Sequence, residues 1–482
     1  MEETIKLLND LIWSNIFIAL CLLAGLYFTI TTGFVQIRYF RHMVKLLFTE
    51  SSSDKGVSPF QAFSMAIAGR VGVGNIVGVA TAIAAGGPGA IFWMWAIAFL
   101  GSASAFIEST LAQIYKVDKN GQYVGGPAFY IEKGMKSKAF ALFFSIVTLI
   151  SCGLFLPSIQ SNSIAVSMHS AFSIPTWVSG IGICLFLGFA VFGGAKKMGL
   201  IAQIIVPFMA SAYIIMAIFI IGLNIQEVPH IFALIFKSAF NLESAFSGVF
   251  GAAIAWGVKR GIYSNEAGQG TAPHAAAASE TSHPVKQGLV QAFSVYVDTL
   301  FVCTATALMI LFTNSYNVID ESGTYIVENM PGVEAGAAYT VKAVATHFPV
   351  FASQFIAIAL TFFAITTAMS YVFIAESNFE YLSKKKNIVL RWGMRIIILS
   401  IVFFASTSEP SIAWGIGDIG VGAMAWINII AIFILRKPAL KALKDYVTQR
   451  KEGKDPIFEP NKIGIENASE EWDKINERRA HQ

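Results

Sequence analysis

The chain alternates between long apolar segments and short polar connections over most of its length. Eleven apolar segments are long enough to cross a bilayer, since a membrane helix needs about 20 mainly apolar residues. The pattern predicts them near residues 11–30, 62–84, 89–115, 139–168, 177–193, 200–222, 245–260, 287–312, 351–378, 392–408 and 413–435. The polar tail that follows, 436–482, is predicted to be either a cytosolic helix or a disordered segment.

The segment from Phe63 to Trp95 contains polar and glycine residues where an ordinary membrane helix would have none. Three glycines fall within six residues: Gly69, Gly72 and Gly74. Arg70 and Asn75 lie at the same depth, although an arginine at mid-helix costs roughly 2.5–3.5 kcal/mol on insertion scales. The combination indicates a helix that opens midway, because bare backbone at that depth is tolerated only against protein or a wet cavity. Close helix packing is the alternative explanation of the glycines.

A second glycine-rich segment occupies the position that an inverted repeat would give it. It begins near residue 245 and carries three glycines within the span: Gly248, Gly251 and Gly257. A second cluster, Gly261, Gly268 and Gly270, follows in the part predicted to be cytoplasmic. The two interrupted segments are the second and the seventh of eleven. This predicts an extra helix (11–30) and two five-span repeats of opposite topology, 62–222 and 245–435, in a transmembrane domain 1–435. Interrupted helices at matching positions of such repeats mark the binding site of secondary transporters.

The composition supports the same class of protein. Of the 482 residues, 55% are hydrophobic and 13% are charged, whereas charged residues make up about 25% of soluble domains. We therefore expect an all-α polytopic membrane protein. The four cysteines lie in apolar segments with no Cys-x-x-Cys spacing, which indicates neither a disulfide framework nor a metal site.

Lysine and arginine are divided unevenly between the two sides of the predicted bundle. When the connections are assigned to alternate sides, 29 of the 34 basic residues fall on one side, including Lys259, Arg260 and Lys384–Lys386. The remaining five lie on the other side or within spans: Lys6, Lys237, Lys342, Arg70 and Arg395. Basic connections stay in the cytoplasm. The N-terminus and the acidic loop 313–350 are thus predicted outside and the tail inside.

Uncharged polar residues within the spans are candidates for ligand contacts. Gln160 offers an amide with two donors and one acceptor, which suits a zwitterion; an interhelical hydrogen bond is the alternative. Thr366 and Thr367 offer hydroxyl oxygens, the hard ligands that a dehydrated sodium ion prefers. Hydrogen bonding back to the carbonyl four residues earlier is the alternative for this pair.

Ionisable residues within the spans are functional candidates by default. Asp298 is a candidate for coupling or gating. Glu266 is expected at an inner gate, where three bases are available to pair with it: Lys259, Arg260 and Arg70.

The other ionisable residues favour structural roles. Glu108 and Asp418 are expected to hold helices together or to line a wet vestibule. His274 and His283 lie beside prolines and are expected to be solvated, with no metal bound. The sequence contains no catalytic constellation, so an enzyme is not predicted. A ring of repeated polar residues that would indicate a channel is also lacking.

Three blocks of sequence resemble the alanine or glycine:cation symporter family of bacteria and archaea. They are VGVGNIVGVATAIAAGGPGAIFWMW (71–95), GGPAFYIEKGM (125–135), and RGIYSNEAGQGTAPHAAAA with HPVKQGL (260–289). The resemblance implies sodium-coupled amino-acid uptake across the plasma membrane on a five-plus-five, LeuT-like fold. Family members hold substrate between the first, third, sixth and eighth core helices. On this chain, that implies the following residues: Gly72, Val73, Gly74, Asn75, Gln160, Phe250, Gly251 and Thr367.

The sequence departs from many family members at two places. Val73 stands where they have a threonine, so one hydroxyl is lost. Ser370 and Tyr371 stand where they have Gly-Trp, and a smaller ring at Tyr371 would leave room for a larger side chain. Glutamine, serine or another larger neutral amino acid is therefore an alternative to alanine or glycine.

Together these features predict a sodium symporter for a small neutral amino acid, with proton coupling on the same fold as a rival mechanism. Four residues are expected to supply the sodium ligands: Ala68, Val71, Thr366 and Thr367. Arg70, Glu266 and Asp298 are the gating or coupling candidates. No cofactor, no metal other than sodium, no nucleic acid and no obligate protein partner is expected.

Overall fold

The computed structural model describes residues 2–48, 55–119, 121–191, 194–320, 322–383 and 388–480, and helices dominate it. The helices of the first half are α1 (Glu2–Ile12), α2 (Asn15–Thr31), α3 (Val35–Arg38), α4 (Phe40–Leu47), α5 (Pro59–Arg70), α6 (Val77–Gly86), α7 (Gly89–Ile114), α8 (Pro127–Gly134), α9 (Lys138–Ile150), α10 (Leu156–Phe172), α11 (Thr176–Val191) and α12 (Gly194–Leu223). Those of the second half are α13 (Val228–Ala239), α14 (Phe250–Asn265), α15 (Ala272–Ala278), α16 (Pro284–Val295), α17 (Thr304–Phe312), α18 (Ala337–Ala345), α19 (Ala352–Leu382), α20 (Ile388–Ser406), α21 (Pro410–Ile434), α22 (Arg436–Lys451) and α23 (Glu471–Ala480).

Shorter elements join these helices. Two antiparallel hairpins are formed by β1 (Val117–Lys119) with β2 (Gln122–Val124) and by β3 (Asn317–Ile319) with β4 (Tyr325–Glu328). Two π-helical turns continue one helix into the next: Ser151–Phe155 between α9 and α10, and Tyr296–Cys303 between α16 and α17. Three 3₁₀ turns complete the described elements: Val73–Asn75, Ile225–Glu227 and Ser244–Val249.

The described residues confirm a helical membrane protein. Eight helical stretches are long and apolar enough to cross a membrane: Glu3–Thr31, Gly89–Ile114, Lys138–Phe172, Gly194–Leu223, Pro284–Phe312, Ala352–Leu382, Ile388–Ser406 and Ala413–Ile434. The other three predicted spans are not single long helices. Residues 62–84 are divided between α5 and α6, residues 177–193 fall mainly in the 16-residue α11, and residues 245–260 fall in a 3₁₀ turn and α14.

The surface of α12 shows why a soluble environment does not suit this fold. Large apolar side chains are exposed on this helix at intervals of four or seven residues: Leu200, Ile204, Phe208, Ile215 and Phe219. That spacing places them on one face. A continuous exposed apolar face marks a surface that contacts a membrane or another protein. By contrast, α19 is buried over most of its length, so it belongs to the interior of the bundle.

The first interruption lies where the sequence predicted it. A reciprocal capping box fixes the start of α5: the Ser58 hydroxyl accepts from the Gln61 amide at 3.1 Å, and the Gln61 side chain accepts from the Ser58 amide at 3.0 Å. The helix ends at Arg70, and α6 begins only at Val77. The intervening backbone is extended at Val71 and then makes a single 3₁₀ turn.

The second interruption is real, but its predicted position was wrong. Gly251 and Gly257 lie within the unbroken helix α14. At Gly257 a Cβ atom would lie 2.5 Å from the Ala90 carbonyl oxygen and 2.6 Å from the Trp93 Cβ. This glycine is therefore needed because α7 packs closely against α14, which was the alternative considered for the first glycine cluster.

The backbone breaks instead between α14 and α15. Gly268 and Gly270 have φ angles of +81° and +90°, a region that favours glycine. Phe250 and Gly251 begin α14, at the end farthest from this break. Fifteen residues of helix separate Phe250 from Asn265, a distance of about 22 Å. The two residues therefore lie away from the break, and this position does not support the substrate role predicted for them.

The polar segments are more ordered than the sequence indicated. The loop 313–350 contains the β3–β4 hairpin and α18, while Glu321 lies outside the described residues. The tail contains α22 and α23 and packs against the rest of the chain. Lys384, Lys385 and Lys386, which contributed to the charge asymmetry, lie outside the described residues.

Candidate functional site

The backbone amides freed by the first interruption are held by two side chains. The Gly72 amide donates to Asn75 Oδ1 at 2.8 Å, and the Val73 amide donates to Gln160 Oε1 at 3.2 Å. A Cβ atom on Gly72 would lie 2.6 Å from Thr367 Oγ1 and 3.0 Å from Gln160 Oε1. Gly72 therefore allows α10 and α19 to approach the opened backbone. Gln160, Thr367 and the Gly72–Asn75 stretch, which the sequence selected separately, lie together.

Thr367 sits among several backbone carbonyl groups. Its hydroxyl oxygen lies 2.8 Å from the Ala68 carbonyl oxygen, 3.1 Å from that of Val71 and 3.0 Å from that of Phe363. A hydroxyl group has one proton to donate, so the three carbonyl oxygens cannot all be satisfied by it. The result is a compact group of four hard oxygen atoms shared by α5 and α19.

The hydroxyl of Thr366 makes hydrogen bonds within its own helix. Its hydroxyl lies 3.0 Å from the carbonyl oxygens of Phe362 and Phe363, within its own helix. The hydrogen bond to the carbonyl four residues earlier is thus present, as the structural alternative predicted. The hydroxyl group is fully buried, so it also adds an oxygen atom to this part of α19.

Arg70 connects the two interruptions. Its Nε donates to the carbonyl of Asn265, the last residue of α14, at 2.5 Å. Its Nη1 donates to the Gln291 carbonyl at 3.4 Å and to the Ser294 hydroxyl. A cation is stabilised at a helix C-terminus because the carbonyl groups there carry partial negative charge. Arg70 thus links the end of α5 to the end of α14.

Asp298 lies in the π-helical turn between α16 and α17 and faces the first interruption. Its carboxylate accepts from Asn75 Nδ2 at 2.7 Å, from the Ser264 hydroxyl at 2.9 Å and from the Thr299 hydroxyl at 2.8 Å. The Thr306 hydroxyl donates to the Asn75 carbonyl at 2.6 Å. Isolated π-helical turns often occur at functional sites. Asp298 therefore connects the opened part of the first broken helix to α14, and Thr306 connects it to α17.

The backbone of the second interruption is supported by Glu108 and Asn428. Glu108 Oε1 accepts from the Gly268 amide at 3.2 Å, and Glu108 Oε2 accepts from Asn428 Nδ2 at 2.7 Å. The same Asn428 nitrogen donates to the Gly268 carbonyl at 2.9 Å, and Tyr130 donates to Asn428 Oδ1. Glu108 therefore replaces helical hydrogen bonds that the break removes, which agrees with the structural role predicted for it.

Replacing Glu108 with glutamine is expected to destabilise this break. One donor, either the Gly268 amide or the Asn428 side chain, would then face the new NH₂ group. Leaving a buried donor unsatisfied costs about 1–3 kcal/mol, so we expect a lower melting temperature and roughly tenfold slower uptake. Glu376→Gln is the matched control, because Glu376 pairs with Arg395 at 2.5 Å, outside this network. Unchanged melting and uptake in Glu108→Gln would contradict the assigned role.

Several polar atoms near the second interruption have no hydrogen-bond partner among the described residues. They are Tyr263 Oη, Asn265 Nδ2, both side-chain polar atoms of Gln269, and Arg70 Nη2. All four side chains are at least 97% buried. Buried polar groups are normally paired, so this cluster has donors and acceptors available for a small polar ligand.

Asp418 forms ion pairs with Lys259 and Arg260, the two bases that were predicted to pair with Glu266. It contacts Lys259 Nζ at 2.8 Å and accepts from both Nη atoms of Arg260, at 2.8 and 3.2 Å. The predicted pairing of Glu266 with Lys259 or Arg260 was therefore wrong. Glu266 lies in the second interruption, where its Oε2 accepts from the Thr271 hydroxyl at 2.8 Å.

Lys259 and Arg260 also lie on the opposite side of the bundle from the predicted one. Arg260 and Trp414 line a cavity of about 590 Å³ together with Glu334 and Lys342 of the loop that the charge pattern places outside. Both bases belong to α14, before the break, and they were wrongly counted as part of an inner connection.

His274 and His283 are buried, so their predicted solvation was wrong. His274 Nδ1 lies 3.0 Å from the Thr271 carbonyl oxygen, and its Nε2 lies 3.0 Å from Asn378 Nδ2. His283 Nε2 lies 3.2 Å from Asp445 Oδ2 in the tail. The prolines beside them begin helices α15 and α16 and do not mark exposed loops.

Tyr371 and Ser370 lie on the buried face of α19. Tyr371 is 1% exposed, and a Cβ atom on Gly69 would lie 2.9 Å from Ser370 Oγ and 3.3 Å from Glu266 Oε2. The prediction from the sequence that residues of α5 and α19 lie close together is therefore correct. It missed Ser264, Asn265 and Gln269, although the second glycine cluster beside them was visible.

The fold and the site define a class of protein. Two broken helices meet at a buried polar centre inside a membrane-spanning bundle, which is the arrangement of secondary transporters. A sequence model described as the sodium:alanine symporter family matches residues 1–460, and the chain belongs to this family. The resemblance stated from three sequence blocks is thus confirmed.

Relatives match over nearly the whole chain. YrbD of Bacillus subtilis (strain 168) is 55% identical over 477 residues, covering 98% of both chains. A sodium/proton-dependent alanine carrier protein of Bacillus sp. (strain PS3) is 51% identical over 429 residues, covering 88% of this chain and 96% of its own.

The similarity to solved structures concerns the fold. MhsT, solved in complex with L-phenylalanine, has a TM-score of 0.55 and 14% sequence identity, covering 82% of this chain and 98% of its own. MhsT is a LeuT-fold transporter, so the predicted LeuT-like architecture is confirmed at the level of the fold.

Proposed function

We propose that the protein is a sodium symporter that takes up a small neutral amino acid, with alanine or glycine as the expected substrate, by alternating access. The single observation that carries the proposal is the group of oxygen atoms around Thr367, placed directly beside the opened backbone at Gly72. The names of relatives, among them the alanine carrier of Bacillus sp. (strain PS3), support the substrate class.

Sodium is proposed to bind between α5 and α19. The carbonyl oxygens of Ala68 and Val71 and the hydroxyls of Thr366 and Thr367 would be its ligands. The Phe363 carbonyl oxygen, which the sequence did not select, lies 3.0 Å from both hydroxyls and is a further ligand. Sodium prefers hard oxygen atoms, and unwound helices supply them in transporters.

The amino acid is proposed to bind beside Gly72, Val73, Gly74 and Asn75. Its carboxylate would replace Gln160 Oε1 as the acceptor of the hydrogen bond from the Val73 amide. The Gln160 side chain would then reorient toward the substrate. Asn265 Nδ2 and both side-chain polar atoms of Gln269 lie at the second interruption and are available to the substrate. Thr367 and Tyr371 would form the opposite wall. Arg70, Glu266 and Asp298 couple the two broken helices during the transport cycle.

The finer architecture is part of the same proposal. If the pairs α5–α6 and α14–α15 each count as one broken span and α11 as a short one, the described residues would form eleven spans. The broken spans are then the second and the seventh, as a five-plus-five inverted repeat requires. The basic asymmetry orients the N-terminus outside and the tail in the cytoplasm of a bacterial or archaeal cell.

One sodium ion per substrate molecule would supply enough free energy to accumulate a neutral amino acid. A single charge crossing a membrane potential of 100 mV supplies roughly 2.3 kcal/mol. A tenfold sodium gradient adds about 1.4 kcal/mol, so the total supports nearly 500-fold accumulation of a neutral substrate.

Uptake into proteoliposomes tests the coupling ion. Labelled alanine should accumulate with an inward sodium gradient and should not accumulate when choline replaces sodium, at every pH of a series. Full uptake in choline that follows a proton gradient would replace the sodium mechanism by the proton rival. Uptake that neither saturates nor exceeds equilibrium would contradict a symporter.

Replacing Tyr371 with tryptophan is expected to narrow the range of substrates. Tyr371 is buried, and the larger indole would reduce the space beside the substrate side chain. We expect competition by glutamine and serine to weaken by about tenfold relative to alanine, since each methylene in such a pocket is worth about 1–3 kcal/mol. The measurement is competition by the twenty amino acids against labelled alanine. An unchanged ranking would remove Tyr371 from the substrate wall.

A further inference from the structure

The tail after α21 is not a free solvated segment. Its composition is strongly polar, yet Tyr446, Phe458 and Trp472 are fully buried. Phe458 and Trp472 pack edge to face with ring centres 4.9 Å apart. Residues of such size rarely lose all their exposure on a mobile tail, so the tail is docked on the body of the protein.

One target of the tail is the connection between α15 and α16, residues 279–283. The Phe458 amide donates to the Ser282 carbonyl at 3.0 Å, and Asp445 contacts His283 at 3.2 Å. Just beyond the connection, Asp455 pairs with Lys286 at 2.5 Å. The tail therefore holds this connection by both backbone and charged contacts.

The same connection is bound to the beginning of the first broken helix. The Val57 amide donates to the Ala278 carbonyl at 3.0 Å, and the Glu280 amide donates to the Val57 carbonyl at 3.3 Å. Val57 lies two residues before α5, and Ala278 ends α15. The inner ends of the two broken helices are thus joined to each other at the point that the tail covers.

The end of the tail closes over this joint. Lys116 Nζ lies 4.4 Å from the ring centre of Tyr123 and 4.7 Å from that of Trp472, and it donates to the Ser279 carbonyl at 3.0 Å. The Ser469 amide donates to the carbonyl of Ile114, at the end of α7, at 2.9 Å.

Charged residues of α23 add to these contacts. Arg478 pairs with Glu280 at 3.0 Å and donates to the Tyr123 hydroxyl at 2.7 Å. Glu471 lies 3.8 Å from Lys55, which also pairs with Asp118 and lowers the pKa of that carboxyl group. The tail therefore bridges the segment before α5, the α15–α16 connection and the end of α7.

We propose that residues 455–478 form a latch that holds the inner ends of α5 and α15 together and so favours the inward-closed conformation. The proposal rests on the proposed function, because only alternating access requires this joint to open. The latch adds contacts that must be broken before sodium and the amino acid leave to the cytoplasm. Loosening it raises the share of molecules whose inner ends are open.

A thiol reporter on α5 measures this opening. Ser64 is 1% exposed and lies in the second turn of α5, so a Ser64→Cys reporter reacts with a charged maleimide only when the inner end opens. The labelling rate is measured in detergent without sodium or substrate, and the chain without the reporter gives the background from the native cysteines. Trp472→Ala should raise the rate by about tenfold or more, because a large packed side chain is removed.

Lys454→Ala is the matched control, because Lys454 is in the tail and contacts Glu452 beside it. Its labelling rate should equal that of the parent. If Trp472→Ala does not purify as folded protein, Arg478→Ala gives a smaller rise through the loss of the Glu280 contact. Equal rates in the parent and the folded tail variant would overturn the latch.

The labelling does not depend on transport. Absence of sodium-driven uptake by the unmodified chain would contradict the proposed function and leave the labelling comparison standing. If the labelling rates are equal while sodium drives uptake, the latch is overturned and the tail contributes to folding alone.

Discussion

Replacing Gly72 with alanine is expected to reduce uptake by about 10- to 100-fold while the protein still folds. The added Cβ atom would lie 2.6 Å from Thr367 Oγ1 and 3.0 Å from Gln160 Oε1, so α10 and α19 would have to move away from the opened backbone. Overpacking of this kind costs typically about 1–3 kcal/mol, and each 1.4 kcal/mol is about a factor of ten in affinity. The φ angle of −138° at Gly72 is acceptable for alanine. The loss therefore comes from the site and not from backbone strain.

Gly251→Ala provides the matched control. Gly251 lies in α14, the helix before the second interruption, but nothing lies within 4 Å of the position of its Cβ. We expect normal uptake, affinity for alanine and melting temperature. Normal uptake by Gly72→Ala, or a loss in Gly251→Ala equal to that in Gly72→Ala, would contradict the position of the site.

Replacing Thr367 with valine is expected to weaken sodium binding by about 10- to 100-fold. Valine keeps the shape of threonine and removes the oxygen atom that lies within 3.1 Å of the Ala68, Val71 and Phe363 carbonyl oxygens. A hydrogen bond or similar polar contact to a charged group is worth about 1.5–3 kcal/mol. The sodium concentration that gives half-maximal uptake should therefore rise, while uptake at saturating sodium falls less.

Thr361→Val controls for the loss of a hydroxyl from the same helix. The Thr361 hydroxyl bonds back to the Ala357 carbonyl at 2.7 Å, as the Thr367 hydroxyl does to Phe363, but it has no bond to α5. Its sodium dependence should match that of the unmodified chain. An unchanged sodium dependence in Thr367→Val would exclude this hydroxyl as a ligand.

The first interruption was predictable because several independent signals coincide there. Glycine clustering alone does not separate an opened helix from a closely packed one, as Gly257 illustrates. At Gly72 the nearby Arg70 and Asn75 resolved the ambiguity, since both are too polar for a helix that only packs closely. In the second segment, Gly268 and Gly270 break the backbone, and the polar residues that accompany them are Asn265, Glu266 and Gln269.

Partners distant in sequence could not be predicted from single positions. Asp418 pairs with Lys259 and Arg260, which precede it by more than 150 residues in the sequence. These two bases are therefore not the partners of Glu266. His283 appeared solvated because the tail that buries it begins more than 150 residues later. Periodicity and charge predict which segments cross the membrane. They do not predict which distant segment covers a given side chain.

The most direct test of the central claim is the affinity for alanine measured at increasing sodium concentration, and the affinity for sodium measured at increasing alanine concentration. If both ligands bind to the backbone opened at Gly72, each should tighten the other, and linkage requires the two factors to be equal. We expect binding of alanine at least about tenfold tighter in saturating sodium than in choline. An affinity for alanine that is the same in sodium and in choline would contradict a shared, coupled site.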